Sequence, residues 1–414
     1  MREMKDSGIA WVGDIPSNWR IMPNKYLMWK KKRICPVYNG EDIISLSMNG
    51  VIIRDLDAGG KMPTTFDGYQ YIEEGNLLMC LFDIDVTPRC IGLIKNNGLT
   101  SPAYSQFVLT DLANAAYYNY YYTMLDNDKT LVHLAKNLRH SLTEEQLGAI
   151  ATIVPPKKEQ ERIAAFLDKK CEEIKSIVLT LQSEIEELEQ YKRSVITEAV
   201  TKGLNPDAEM RDSGVQWVGM MPSHWDCQRG KYILRYLQKP VRDDDGVITC
   251  FRDGEVTLRS NRREEGFTMA DKEIGYQGID IGDLVVHGMD GFAGAIGISD
   301  SRGKASPVLN VLETMQNKRY IMYYLRSMAY NDVFVALATG IRVRSCDLRW
   351  NKLAELLYPL PPIDEQEAIV EYIDSVLERT NAVIADKKQQ IETIEEYKKS
   401  LIFEYVTGKK EAVI

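Results

Sequence analysis

The chain has 414 residues, a formal net charge of −9, 44% hydrophobic and 27% charged residues, a balance that reads as a soluble globular protein. No uninterrupted apolar run approaches the ~18 residues of a membrane span, and the start, Met1 to Asp6, lacks the apolar run of a signal peptide. Seven cysteines, at 35, 80, 90, 171, 227, 250 and 346, form no C-x-x-C pair, and the four histidines lack helical H-x-x-x-H spacing, so a cytoplasmic location without disulfides or structural metal is expected. The acidic balance leaves any DNA binding to local fields.

The first element is an anchor at 6–19, in which Trp11 and Trp19 flank a Gly/Pro turn and suggest an aromatic clip docked on a domain surface. Its residues Asp6, Ser7, Gly8, Trp11, Val12, Gly13, Pro16, Ser17 and Trp19 recur 206 positions later as Asp212, Ser213, Gly214, Trp217, Val218, Gly219, Pro222, Ser223 and Trp225. The same offset carries Lys25 and Tyr26 onto Lys231 and Tyr232, and Pro155, Pro156, Glu159, Gln160 and Glu161 onto Pro361, Pro362, Glu365, Gln366 and Glu367. Two such copies fill the chain. A period this long is a duplicated domain, since solenoid units run ~20–50 residues.

A mixed segment follows in each copy, at 24–150 and 230–355. Short β-rich runs such as Leu77–Phe82 and Asp283–His287 are broken by Gly, Asn and Pro. Tyrosine-rich stretches at Tyr117–Leu125 and Tyr320–Leu325 read as helical. The fold class expected is therefore α/β (α+β), with a strongly curved or irregular sheet. The two segments match only in skeleton, for instance at Ser101-Pro102 and Ser306-Pro307, so one fold carries two different sets of loops.

After Pro155-Pro156, residues 159–202 contain no Pro or Gly, and Gly203 supplies a stop signal. At ~1.5 Å per residue this is a helix of roughly 66 Å. Leu167, Ile174, Leu181, Leu188 and Val195 repeat every seven, and Cys171, Val178, Ile185 and Ala199 fill the alternate seam, interrupted by Lys192. In the second copy Val370, Ile373, Leu377, Ile384, Ile391, Ile394, Leu401 and Tyr405 take matching positions, with Thr380, Lys387 and Lys398 weakening the seam. The pattern is a coiled coil, and antiparallel pairing satisfies both seams and a pseudo-two-fold axis. It also returns the chain end to the chain start. Lys192 and Lys398 either snorkel out of the seam or fix its register. The domains read as 1–154 and 206–360, each a globular head, followed by helical regions 155–205 and 361–414.

Catalytic signatures are missing. There is no G-x-G-x-x-G cofactor loop, no P-loop and no Pro-Pro followed by an aromatic residue. Gly288, Gly291, Gly294 and Gly297 recur every third residue as a phosphate nest or, more simply, as β-turns. Glu173 and Lys175 have a nuclease-like E-x-K spelling but lie on the coiled-coil helix, where an exposed salt-bridge face is the better reading. The chain is read as non-catalytic.

Binding chemistry is present. Arg252, Arg259, Arg262 and Arg263 fall within twelve residues with Asn261 among them. Arginine pairs two-pronged with guanine and asparagine with adenine in the major groove. Lys30, Lys31, Lys32 and Arg33 form a four-charge cluster suited to phosphate, or else a solvated helix end. Arg342 and Arg344, with Arg54, Lys61 and Arg89, are further candidates.

Taken together, the duplicated Trp-Val-Gly and Pro-Ser-x-Trp anchor, the duplicated Pro-Pro-x-x-Glu-Gln-Glu start of a long helix and the Ser-Pro of each middle segment resemble the specificity (S) subunit of type I restriction-modification systems, over the whole length. The resemblance implies target-recognition domains at 24–150 and 230–355, each reading half of a split double-stranded DNA site. It implies helices that act as a ruler and dock two methyltransferase (modification) subunits, joined by motor/nuclease (restriction) subunits. S-adenosylmethionine, ATP and Mg would then sit on those partners, with no cofactor in this chain. Half-sites about one turn, ~34 Å, apart would lie on one face of the duplex. The alternative is a non-catalytic coiled-coil scaffold joining two protein-binding domains.

Overall fold

The computed structural model describes residues 2–48, 50–57, 63–87, 89–135, 140–262, 274–337 and 348–412. The chain divides into two compact units, 1–181 with 388–414 and 182–387. The long helices, Lys157–Lys202 and Ile363–Val406, are thus shared out, and each unit holds the first half of one and the last half of the other.

In the first unit a four-stranded antiparallel sheet runs in the order Met28–Lys31, Ser105–Leu109, Leu77–Met79, Ile91–Leu93. The second unit repeats that order with Leu234–Leu237, Leu309–Thr314, Leu284–His287, Ile296–Ile298. The other sheets are two-stranded and also antiparallel. An α+β head with small, broken sheets results, as the short β-rich runs between Gly and Pro imply.

Both tyrosine-rich stretches are helical, at Ala115–Asn127 and Lys318–Tyr330. Each starts on an asparagine, Asn114 or Asn317, whose side chain accepts from a backbone N–H of the first turn. The tyrosines supply an apolar body and a polar tip, and their hydroxyls reach both long helices. Tyr120 donates to Asp168 at 2.8 Å and Tyr323 to Asp374 at 2.5 Å. Tyr117 donates to the Val406 carbonyl at 2.8 Å and Tyr320 to the Val200 carbonyl at 3.2 Å. Carbonyls at a helix C-terminus lack intrahelical partners, so each head caps the tail of the helix that belongs to the other copy.

The anchors are not surface clips. Trp19 and Trp225 are almost wholly buried, because the start of a long helix closes over them. Trp19 Nε1 donates to Glu159 Oε2 and Trp225 Nε1 to Glu365 Oε1, both at 3.0 Å. The next residue completes the clamp. Gln160 Oε1 accepts from Asn114 N at 2.7 Å while its amide donates to the carbonyls of Leu112 and Pro155. Gln366 Oε1 accepts from Asn317 N at 3.0 Å while its amide donates to Gln316 and to the Pro361 carbonyl. The two repeated motifs are therefore the two sides of one joint.

The seam is antiparallel within each unit. In the first, Phe166 stacks on Tyr405 with ring centroids 4.3 Å apart, and Leu167, Ile174, Val178, Leu181 and Leu401 are buried while Ile391 and Ile394 are half-buried. In the second, Glu184 pairs with Lys387 at 2.6 Å and Lys192 with Asn381 at 2.8 Å. There Ile373 and Ile384 are buried, and Ile185, Leu188 and Leu377 are half-buried. Lys192 also meets Glu189 at 2.9 Å and Lys398 meets Glu395 at 3.4 Å, so both seam lysines keep a counter-charge at the flank. Glu173 and Lys175 pair along the exposed helix face with Lys170 and Glu172.

Gly203 ends the first helix at φ +75°. Its counterpart is Gly408, at φ +74°, where an added Cβ would lie 2.6 Å from Pro16 and 2.7 Å from the Trp19 ring. Lys409 Nζ then donates to the Val12 carbonyl at 2.9 Å, which brings the chain end to the chain start within the first unit. Among the described residues no helix is long and apolar enough to cross a membrane.

Trp19→Ala and Trp225→Ala are expected to cost ~3–5 kcal/mol each, read as a shift in urea or thermal unfolding. Gly408→Ala should also destabilise, through positive φ and the clash with Pro16 and Trp19, whereas Gly214→Ala, with open space around it, should cost only its backbone strain.

Candidate nucleic-acid interface

In the second head the arginine run folds as a hairpin. Ile248–Cys250 pairs with Val256–Leu258, with Thr249 opposite Thr257, and a 3₁₀ turn, Arg259–Asn261, follows. The threonine pair holds two of the candidate readers. Arg259 Nε donates to Thr249 Oγ1 at 3.2 Å and Asn261 Nδ2 to Thr257 Oγ1 at 2.8 Å. Arg262 lies over the Phe251 ring, 4.2 Å from its centroid, and pairs with Asp253 at 2.7 Å and Glu255 at 2.9 Å. Arg252, at the tip, pairs with Asp290 at 2.8 Å. The structure thus brings Arg252, Arg259, Asn261 and Arg262 to one hairpin. Arg263, Arg342, Arg344 and Lys61 lie outside the described residues.

The sequence shows two acids beside these arginines, and both meet Arg262. The partner of Arg252 comes from a different loop. Such exposed pairs contribute little to stability; they preset the side chains and lower the local positive field that a phosphate would meet.

An ion network braces the foot of this hairpin. Arg302 joins Asp245 at 2.8 Å and Asp280 at 2.5 Å, and Lys239 joins Asp280 at 2.8 Å and Asp283 at 2.7 Å. Lys239 and then Arg302 hold the Asp280 carboxyl down at about 2. Arg302 likewise holds Asp245 below the usual range. The backbone carbonyl of Gly246 accepts from Lys304 N, so Asp245 is fixed next to the strand that starts the hairpin.

The lysine cluster of the first head is not a helix end and not a single patch. Lys30 and Lys31 lie on the strand Met28–Lys31, where neighbours point to opposite faces. Lys30 lies 3.9 Å from Glu144 and Lys31 2.6 Å from Glu73. Lys32 is exposed. Arg33 turns onto the Tyr71 ring, 4.7 Å from its centroid, and Tyr71 donates to Glu41 at 3.3 Å. Arg33, Glu41, Asp42, Tyr71, Glu73 and Asn97 line a cleft of about 420 Å³. Lys30 and Lys31 part because a strand has a period of two, and Lys32 and Arg33 follow beyond its end.

The glycine run at 288–297 forms turns and close packing. Gly291 opens a 3₁₀ turn, Gly294 has φ +96°, and a Cβ at Gly297 would meet the Gly254 carbonyl at 1.9 Å. Among the described residues no group of three or more His, Cys, Asp or Glu is placed to hold a metal ion, and the described cysteines are free.

Acid should reveal the network. Asp280 titrates below its unfolded value of ~3.9, so its stabilisation is complete above about pH 4 and is lost as pH falls toward 2. Thermal unfolding of the intact chain between pH 5 and 2 should therefore decline less steeply in Asp280→Asn than in the wild type. The variant should already be slightly less stable at pH 7.

No protein-family model and no curated protein matches the chain. Solved structures do. A chain of a type I R-M system, described as the structural basis of its complex assembly and conformational transition, aligns over 96% of this chain and 99% of its own, at 13% identity and a TM-score of 0.66. The HsdS subunit from Thermoanaerobacter tengcongensis aligns over 96% and 98%, at 13% identity and a TM-score of 0.48. The S subunit of a type I restriction-modification system from M. genitalium aligns over 94% and 96%, at 12% identity and a TM-score of 0.36. At such identities the likeness is one of fold, and it covers 96% of this chain: this protein shares its fold with a chain of a type I R-M system.

Proposed function

We propose that the chain is the non-catalytic, sequence-specific DNA-binding subunit of a type I restriction-modification complex. The observation that carries this reading is one joint built twice, Trp19 with Glu159 and Trp225 with Glu365, beneath heads whose candidate reading surfaces differ. Two unlike readers on repeated mounts call for a bipartite, asymmetric target. The spacer would be fixed by the helices. Arg252, Asn261 and Arg262 are the candidates for base contact in the second head, with Arg263, Arg342 and Arg344 as further candidates. Lys30, Lys31, Lys32 and Arg33 are the candidates in the first, with Lys32 and Arg33 exposed.

The helices would dock two methyltransferase subunits, with motor/nuclease subunits joining them. S-adenosylmethionine, ATP and Mg would belong to those partners, and the complex would work in the cytoplasm. Support comes from four exposed apolar side chains at repeat-equivalent sites. Ile177 and Tyr397 lie in the first unit and Val383 and Tyr191 in the second, each between 46% and 57% exposed. All four hold the heptad position just before a seam residue. In an antiparallel pair those positions of both helices border the same side of the seam. One such patch per unit suits one partner subunit per unit.

The test is co-purification of the full chain with a methyltransferase, followed by mapping of the modified bases. A split site with a constant spacer is expected; a contiguous palindrome would overturn the two-reader model. DNA binding without sequence preference would favour the scaffold reading. Arg262→Ala should cost up to ~1–3 kcal/mol of binding, concentrated on one half-site. Tyr191→Asp with Tyr397→Asp should release the methyltransferase while leaving unfolding of the free chain unchanged.

A further inference from the structure

The two heads carry a hairpin in the same place, and one residue on it is the same. In the first head Ile44–Ser47 pairs with Gly50–Ile53, with Ile44 opposite Ile53. In the second Ile248–Cys250 pairs with Val256–Leu258, with Ile248 opposite Leu258. Just before the hairpin, Ile43 bridges in parallel to Leu99, and Val247 to Lys304. Just after it, the Arg54 N–H donates to the Ile43 carbonyl at 2.7 Å, and the Arg259 N–H to the Val247 carbonyl at 2.8 Å. These backbone contacts assign Arg54 and Arg259 to one structural position. Both side chains are half-buried.

The hairpin tips beyond that position differ. The first hairpin opens apolar side chains to solvent, with Met48 61% exposed at its tip and Ile52 and Ile53 also open on its second strand. The second is longer and charged, with Arg252, Asp253 and Glu255 between its strands. Two heads that read different bases meet only one feature in common, the sugar-phosphate backbone. Phosphate contacts set register and carry no sequence information, while base edges carry it. A side chain kept at one position beneath unlike tips therefore fits the shared part of the ligand.

We infer that Arg54 and Arg259 are matched phosphate-contacting residues that seat each hairpin on duplex DNA, while the unlike tips, around Met48 in one head and Arg252 in the other, read the half-sites. The inference rests on the DNA-binding reading above and goes beyond it. It makes Arg259 a positioning residue, distinct from Arg262, and it gives Arg54 a role.

The experiment measures binding of the full chain to a set of DNA duplexes of defined and differing sequence by fluorescence anisotropy over a range of NaCl concentrations. Arg54→Gln and Arg259→Gln should each weaken binding on all sequences alike. Each should also flatten the dependence of log affinity on log salt by about 0.9, the contribution of one phosphate contact. Arg54→Lys and Arg259→Lys should keep the wild-type salt slope, because the slope counts phosphates neutralised and a lysine neutralises one as an arginine does. Thermal unfolding of all four variants should match the wild type. An unchanged salt slope in both glutamine variants, a loss confined to one sequence position, or unfolding in the lysine variants as well would overturn the inference while leaving DNA binding in place. If the wild-type chain shows no salt-dependent binding to the duplex, the DNA-binding reading itself falls, and the inference with it.

Discussion

Each half of this protein depends on a buried indole N–H pointed at a carboxylate. Trp19 and Trp225 place the largest side chain available in the angle between a head and the helix that leaves it. Glu159 and Glu365 satisfy the one polar atom that would otherwise be stranded there. A buried donor without a partner costs more than the bond itself contributes, so the geometry is strongly specified: the helix must begin where its third residue can reach the indole. Gln160 and Gln366 extend the constraint by accepting the N–H that opens the tyrosine helix. Head, helix start and tyrosine helix are thereby locked through two adjacent side chains.

The tyrosine helices pass that order to the tail of the other copy's long helix. Tyr117 caps Val406 and Tyr320 caps Val200, so neither head is complete with its own helix alone. This exchange explains why compact units cut across the repeats instead of following them. It also explains why the tail glycines are tightly placed, since Gly408 packs on Pro16 and the Trp19 ring and Gly203 on Trp225.

The candidate reading surfaces obey a different rule. Their arginines and lysines are mostly paired: Arg262 with Asp253 and Glu255, Arg252 with Asp290, Lys31 with Glu73. In a chain of net charge −9, such pairing keeps the fields short in range. A ligand that displaces the acids gains the arginines in preset geometry, at the cost of breaking the pairs. On the proposed function, recognition would then depend on a substitute for each carboxylate, which favours discrimination over raw affinity.

Much of this was legible without coordinates. The 206-residue period, the heptads from Leu167 to Val195 and the break at Gly203 are local or periodic signals, and burial in the seam follows from them. The pairing of the anchor with the Pro-Pro-x-x-Glu-Gln-Glu motif was not legible, because 140 residues separate Trp19 from Glu159 and nothing in the spacing says which indole meets which acid. The run at 30–33 reads as one patch in the sequence, whereas the strand Met28–Lys31 sets Lys30 and Lys31 on different faces and Arg33 turns onto Tyr71. The equivalence of Arg54 and Arg259 also lay hidden, since hairpins of unequal length shift the register between the copies. Composition and periodicity determined that two like domains on paired helices would form; only the tertiary structure decided which buried polar atoms meet and which charges stay open, because hydrogen bonds between distant segments are set by three-dimensional packing and leave no period in the chain.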